Sequence, residues 1–221
     1  MSDSYTDQMT RHSSEIKRNI GYTLHPSVAA TLPATPRIAD IGTGTGRFLL
    51  ILHTLYPDAT LDGSDISSAL YPPQDGLPSN VTLTVLNAKE HPPEHLHGQY
   101  HMVHPGGYLQ WEECDFAGCK YIREKVDSTV EAARFIGYAF RDALMERFEH
   151  GWSTLPQIMR DAGLTSVLSD IVSSDRLPET REKLTTTGMQ AIFSWARLMT
   201  ERGAKGALYD IYVFCGQKPA S

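Results

Sequence analysis

The segment Asp40-Ile41-Gly42-Thr43-Gly44-Thr45-Gly46 constrains the fold of this chain more than any other. It stands between a strand-like run, Arg37 to Ile41, and a helical run, Arg47 to Tyr56, that stops at Pro57. Three alternate glycines carry a conformational cost that a plain turn does not require. At that place they let the backbone reverse sharply and come close to a ligand at a helix N-terminus. The dinucleotide fingerprint needs G-x-G-x-x-G/A; counted from Gly42, its third glycine falls on Arg47, so that pattern fails. The spacing present is D-x-G-x-G-x-G.

The elements around the loop follow from periodicity. Phe48, Leu52 and Leu55, with Ile51 flanking, recur at helical spacing and predict the buried stripe of the helix. Thr60 to Ser64 reads as a second strand and Val81 to Leu86 as a third, Val81, Leu83 and Val85 alternating with threonines. Strand, helix, strand and strand in that order predict an α/β fold with a mostly parallel, doubly wound sheet. Farther on, Tyr108 to Glu113 is a strand entered through Pro105-Gly106-Gly107. A long helix is expected over about Glu124 to Glu149, its stripe Val126, Val130, Ala133, Gly137, Phe140, Leu144 and Phe148 packing on the sheet. A short helix at Leu155 to Ala162, a strand at Thr165 to Ser173, a helix at Glu182 to Arg202 and a strand at Leu208 to Gly216 complete the order. Trp111 and Trp195 are expected in the core, and Glu112 and Glu113 at a solvated strand end. No linker divides the chain, so a single domain over residues 1–221 is expected, with residues 1–35 as an N-terminal extension.

The glycine spacing resembles that of the class I S-adenosylmethionine-dependent methyltransferases, whose fold is Rossmann-like. Tyr22 to Pro26, Arg37 to Gly46, and Pro105 to Glu113 together resemble the fungal secondary-metabolism methyltransferase-like group. The resemblance implies S-adenosyl-L-methionine as cofactor, with residues 36–90 as the cofactor-binding half. It implies contacts from Asp40, Gly42, Thr43, Gly44 and Gly46 on the loop. It places the ribose carboxylate on Asp65, with Ile66 beside it, and Asn87 and Ala88 against the adenine. Asp62 is the rival carboxylate, and an asparagine after a strand is also an ordinary turn former. The resemblance further implies that the last two strands form an antiparallel pair.

One departure stands out. Tyr100 to His104 occupies the place of the family's fourth strand, and Pro105-Gly106-Gly107 follows at once. Parallel neighbours need a crossover of about a dozen residues or more, so the sheet is expected to be truncated around strand four by an internal deletion. A strand at 101–104 is therefore expected to be absent, very short or reversed. His91, His95, His97, His101 and His104 crowd the same stretch. The prolines among them argue for a surface loop over a zinc site, so no metal is expected; a histidine base among them is the alternative, and no catalytic residue is singled out.

Composition bounds the rest. Of 221 residues, 41% are hydrophobic, enough for a core, and no apolar run approaches a membrane span. Met1 to Glu15 is polar and reads as no secretory signal. Cys114, Cys119 and Cys215, an odd count without a CxxC pair, read as reduced thiols of a cytoplasmic protein. A net charge of −6 opposes nucleic acid as the partner. The expected function is methyl transfer to oxygen or nitrogen of a small secondary metabolite. The alternative is an inactive methyltransferase-like protein that steers biosynthesis by binding an intermediate or a partner enzyme. A second copy of the chain, making a homodimer, is the candidate cover for apolar surface opened by the deletion.

Overall fold

The computed structural model of the chain describes residues 16–91, 93–96, 99–100, 107–123, 126–127, 129–131, 134–135, 138–139, 142, 154–174, 176–177 and 204–219. Helix α1 covers residues 16–20 and α2 Pro26–Ala29. Strand β1 (Arg37–Ile41) leads through the glycine loop into α3 (Arg47–Leu55), and β2 (Thr60–Asp65) and β3 (Val81–Val85) follow. Strand β4 (Tyr108–Arg123), helix α4 (Leu155–Asp161), β5 (Thr165–Ser173) and β6 (Ala204–Gln217) complete the labelled elements.

The strands form two three-stranded sheets, one in the order β1-β2-β3 and the other β4-β6-β5. The first is parallel throughout, as βαβ chain order requires. In the second, β4 and β5 each pair antiparallel with β6. The α/β fold and the antiparallel C-terminal pair are therefore as expected, but the expected sheet is realised as two. In chain order, no strand is described between β3 and β4. Residues 101–104 of the expected fourth strand lie outside the described set, as do Trp195 and most of the two expected long helices; Val126, expected to start a buried helical stripe, instead lies in an exposed turn.

One core joins the two sheets. Ile38, Leu49, Leu52, Leu61 and Val81 from the parallel half pack in one cluster with Cys114, Ile211, Val213 and Cys215 from the antiparallel half. Ile20, Leu24 and Val28 complete it, so the segment read as an extension contributes core side chains. On α3 the buried residues are Leu49 and Leu52, whereas Leu55 is exposed. The buried stripe is thus turned from the expected one, because β2 meets the helix one residue round from Phe48.

Two further differences concern β4. It runs ten residues beyond Glu113, its pairing with β6 interrupted by a register shift between Asp115 and Lys120. Trp111, expected in the core, is 46% exposed. It lies on the face opposite Gln110, Glu112 and Cys114, since successive strand residues alternate faces.

Gly63 marks the tightest packing. A Cβ placed there would lie 2.6 Å from Leu83 Cδ2, 2.7 Å from Leu49 Cδ1 and 2.9 Å from Thr43 Oγ1. Three different elements would have to give way together. Gly63→Ala is therefore expected to destabilise the fold by about 1–3 kcal/mol. Chemical denaturation checks this, and an unchanged midpoint would contradict the packing described.

Candidate functional site at the carboxyl ends of the parallel strands

All three loop glycines adopt left-handed backbone, with φ of 79° at Gly42, 55° at Gly44 and 70° at Gly46. Residues with a Cβ pay roughly 1–2 kcal/mol for that conformation. The loop is strapped to the end of β2. Ser64 C=O accepts from Gly42 N–H at 2.7 Å and from Thr43 N–H at 3.0 Å. Asp65 Oδ2 accepts from Gly44 N–H at 2.9 Å. Gly46 is the N-cap of α3 and brings no side-chain cap, so the first N–H groups of the helix lack that partner. A Cβ at Gly42 or Gly44 would meet nothing within 4 Å, so these two glycines border open space.

The two candidate carboxylates have different surroundings. Asp65 ends β2 and touches the loop, while its carbonyl accepts from Leu86 N–H at 2.9 Å. Asp62, three residues earlier, is ion-paired to Arg37 Nε at 3.3 Å. The arrangement thus puts Asp65 at the loop and employs Asp62 elsewhere. Beyond Asp65 the strand ends are apolar and open: Ile41 is 58% exposed, Ile66 68% and Val85 60%. They end or directly follow the three neighbouring parallel strands.

Asn87 behaves as a turn former. Its Oδ1 accepts from Lys89 N–H at 3.1 Å and its Nδ2 donates to Glu90 Oε1 at 2.9 Å, while Ala88 is exposed. These hydrogen bonds of Asn87 lie within residues 87–90. Of the five histidines between positions 91 and 104, only His91 and the backbone of His95 are described, and His91 is exposed. Among the described residues, no three histidine, cysteine or acidic side chains are grouped so as to hold a metal ion. No helix among them is long and apolar enough to cross a membrane.

A polar network that the sequence did not reveal adjoins the loop. Gln110 Oε1 accepts from His25 N–H at 2.7 Å, and its Nε2 donates to Thr23 C=O at 3.1 Å. Glu112, expected to be solvated, is ion-paired to Lys17 of α1. Tyr22 donates to Asp170 Oδ2 at 2.7 Å; burial and then that carboxylate push its hydroxyl pKa upward. Burial pushes the Cys215 thiol up to about 12, so it stays a thiol at neutral pH. The only trace in the sequence was that both partner segments, Tyr22 to Pro26 and Pro105 to Glu113, carried the family resemblance.

Asp40 links the network to the loop. Thr43 Oγ1 donates to its Oδ2 at 2.6 Å. Burial pushes its carboxyl above the usual value, while the Thr43 hydroxyl and Lys17 oppose this. The native state therefore holds the Asp40 proton more tightly than the unfolded chain. Stability from this group falls as pH rises from the unfolded value near 3.8 through the raised native one. Asp40→Asn keeps an acceptor for Thr43 without the charge. It is expected to raise Tm above wild type at pH 7, the difference closing as pH falls to about 3.8. A lower Tm at pH 7 would mean that attraction to Lys17 outweighs the cost of burial.

Comparison with solved structures decides the fold. Phosphoethanolamine N-methyltransferase 2 of Haemonchus contortus, solved with S-adenosyl-L-methionine, aligns with a TM-score of 0.52 at 12% identity, covering 98% of this chain and 57% of that one. Geranyl diphosphate C-methyltransferase of Streptomyces coelicolor A3(2), solved with Mg2+, geranyl-S-thiolodiphosphate and S-adenosyl-L-homocysteine, aligns at 0.51 and 12%, covering 93% and 76%. The chain has the class I methyltransferase fold. In sequence it is similar to methyltransferase grgD of a Penicillium species, 34% identical over an alignment 113 positions long, which covers 36% of this chain and 39% of the relative. The match thus spans well under half the length of that curated relative. No family model matches the sequence. In the methyltransferase fold, as in open α/β sheets generally, ligands sit outside the carboxyl ends of the parallel strands. Asp40, Asp65 and the three glycines lie at that end here.

Proposed function

We propose that the chain binds S-adenosyl-L-methionine and transfers its methyl group to an oxygen or nitrogen of a small secondary metabolite. The observation that carries this reading is Asp65 closing on the glycine loop through Gly44 N–H, with open space beside Gly42 and Gly44. The donor set fits the cofactor. The Asp65 carboxylate would accept from vicinal ribose hydroxyls; the loop and the N-terminus of α3, which has no side-chain cap, would let a ligand approach the backbone; exposed Ile66, next to Asp65, would offer apolar contact to a base. The bound cofactor would supply an electrophilic methyl group on a sulfonium.

The residues of this chain then contribute position more than acid–base chemistry. Thr43 and Ser64 hold the loop in its left-handed path, and Asp65 fixes its middle glycine. In-line displacement gains most from such preorganisation, because effective molarity rises steeply when reacting atoms are held at near-contact distance. The net charge of −6 favours a small acceptor over a phosphate backbone.

A second reading rests on the short stretch of chain between β3 and β4, in which no strand is described. In it the chain binds the cofactor and an intermediate, or a partner enzyme, without transfer. Incubation with methyl-labelled S-adenosyl-L-methionine and extracts containing candidate metabolites separates the two. Labelled small-molecule product is expected; cofactor binding with no label in any product favours the second reading.

A further inference from the structure

Lys17 stands in surroundings that suit a cation. Its ammonium is ion-paired to Glu112 Oε1, donates to Thr23 C=O at 3.3 Å and lies 4.2 Å from the centroid of the Phe48 ring. A carboxylate, a carbonyl and an aromatic face are the groups that recognise alkylated cations. The side chains of Lys17 and Glu112 are only 12% and 20% exposed. Gln110 Nε2 donates to the same Glu112 oxygen at 2.6 Å, which keeps that carboxylate in place when its cation changes. Phe48 is the second residue of α3, two beyond Gly46, so this box adjoins the glycine loop.

We propose that the box receives a cationic centre of the bound cofactor, its sulfonium or its α-ammonium, and that Lys17 is an internal cation displaced on binding. The inference rests on the cofactor reading above. Lysine suits the role because its charge rides on a flexible four-carbon stem and is readily returned to water. The core side chains of this region, Ile20, Leu24 and Val28, lie on other positions and need not move with it. Lys17 already fills the place between Glu112 Oε1, Thr23 C=O and the Phe48 ring, so a second cation at that place must displace it, and Lys17 restrains the affinity of the ligand.

Calorimetric titration of S-adenosyl-L-methionine and S-adenosyl-L-homocysteine into wild type and Lys17→Met tests this. The variant is expected to bind S-adenosyl-L-methionine about fivefold more tightly, the scale of a partly exposed ion pair. A larger gain for S-adenosyl-L-methionine than for its demethylated product assigns the box to the sulfonium. An equal gain assigns it to the α-ammonium, which both carry. An unchanged or weaker affinity, with wild type binding normally, overturns the proposal, makes Lys17 structural and leaves the cofactor site standing. If neither protein binds either compound, the cofactor reading falls and this inference with it. Glu112→Gln provides the second variant should Lys17→Met not fold. Removing the carboxylate of the box is expected to weaken S-adenosyl-L-methionine by about threefold or more, and unchanged affinity overturns the proposal.

Discussion

Asp65→Ala is expected to lower the affinity for S-adenosyl-L-methionine by at least about tenfold without unfolding the chain. Two effects act in the same direction. The carboxylate that would accept from the ribose hydroxyls is lost, and charge-assisted bonds of that kind are worth roughly 1.5–3 kcal/mol each. The strap from Asp65 to Gly44 N–H goes with it, so the loop loses one of the contacts that hold its left-handed path. At about 1.4 kcal/mol per decade, one such bond suffices for the factor of ten. Asp62→Ala is the matched control. Its carboxylate is engaged by Arg37, so cofactor affinity is expected to change by less than about threefold. Titration calorimetry on the two variants reads the difference, and a reversed order would move the ribose site to Asp62.

Gly44→Val is expected to abolish measurable cofactor binding while costing the fold only about 1–2 kcal/mol. The cost to the fold comes from placing a β-branched residue at a φ of 55°. It stays modest because a Cβ there meets nothing within 4 Å. That same open space is where the ligand is proposed to lie, so the side chain stands in its way. Gly63→Ala inverts the pattern: its Cβ collides with Leu83, Leu49 and Thr43 inside the protein, and stability suffers first. Thermal melts paired with binding isotherms distinguish the two kinds of glycine. Normal binding by Gly44→Val would show that the ligand does not pass over the loop.

The parts of the fold that were legible in the sequence are those whose cause is local. The glycine spacing demanded a sharp turn between strand and helix, and the turn is there with all three glycines left-handed. Alternation at Val81, Leu83 and Val85 and the order of elements announced a parallel sheet, which β1 to β3 form. What was not legible depends on distant partners. Leu49 rather than Leu55 is buried on α3 because of where β2 lies, and periodicity alone leaves the stripe free to turn by a residue. The extension of β4 past Glu113 is decided by β6, about a hundred residues away, across a register shift. Trp111 is large and apolar, yet it occupies the less covered face of that sheet. The contacts of Lys17, Thr23 and His25 with Gln110 and Glu112 join segments 85 to 95 residues apart. Each partner alone reads as an ordinary polar residue. At the candidate site, Asp65, to which the resemblance pointed, meets Gly44 of the loop, while Asn87 makes hydrogen bonds within its own turn.

One ligand is proposed to sit at the carboxyl ends of β1, β2 and β3. Calorimetric titration of S-adenosyl-L-methionine into the full chain tests that most directly. One-to-one binding to wild type, weakened at least about tenfold in Asp65→Ala and nearly unchanged in Asp62→Ala, is the predicted result. Absence of binding to a folded wild-type chain, or equal affinity in all three proteins, would contradict it.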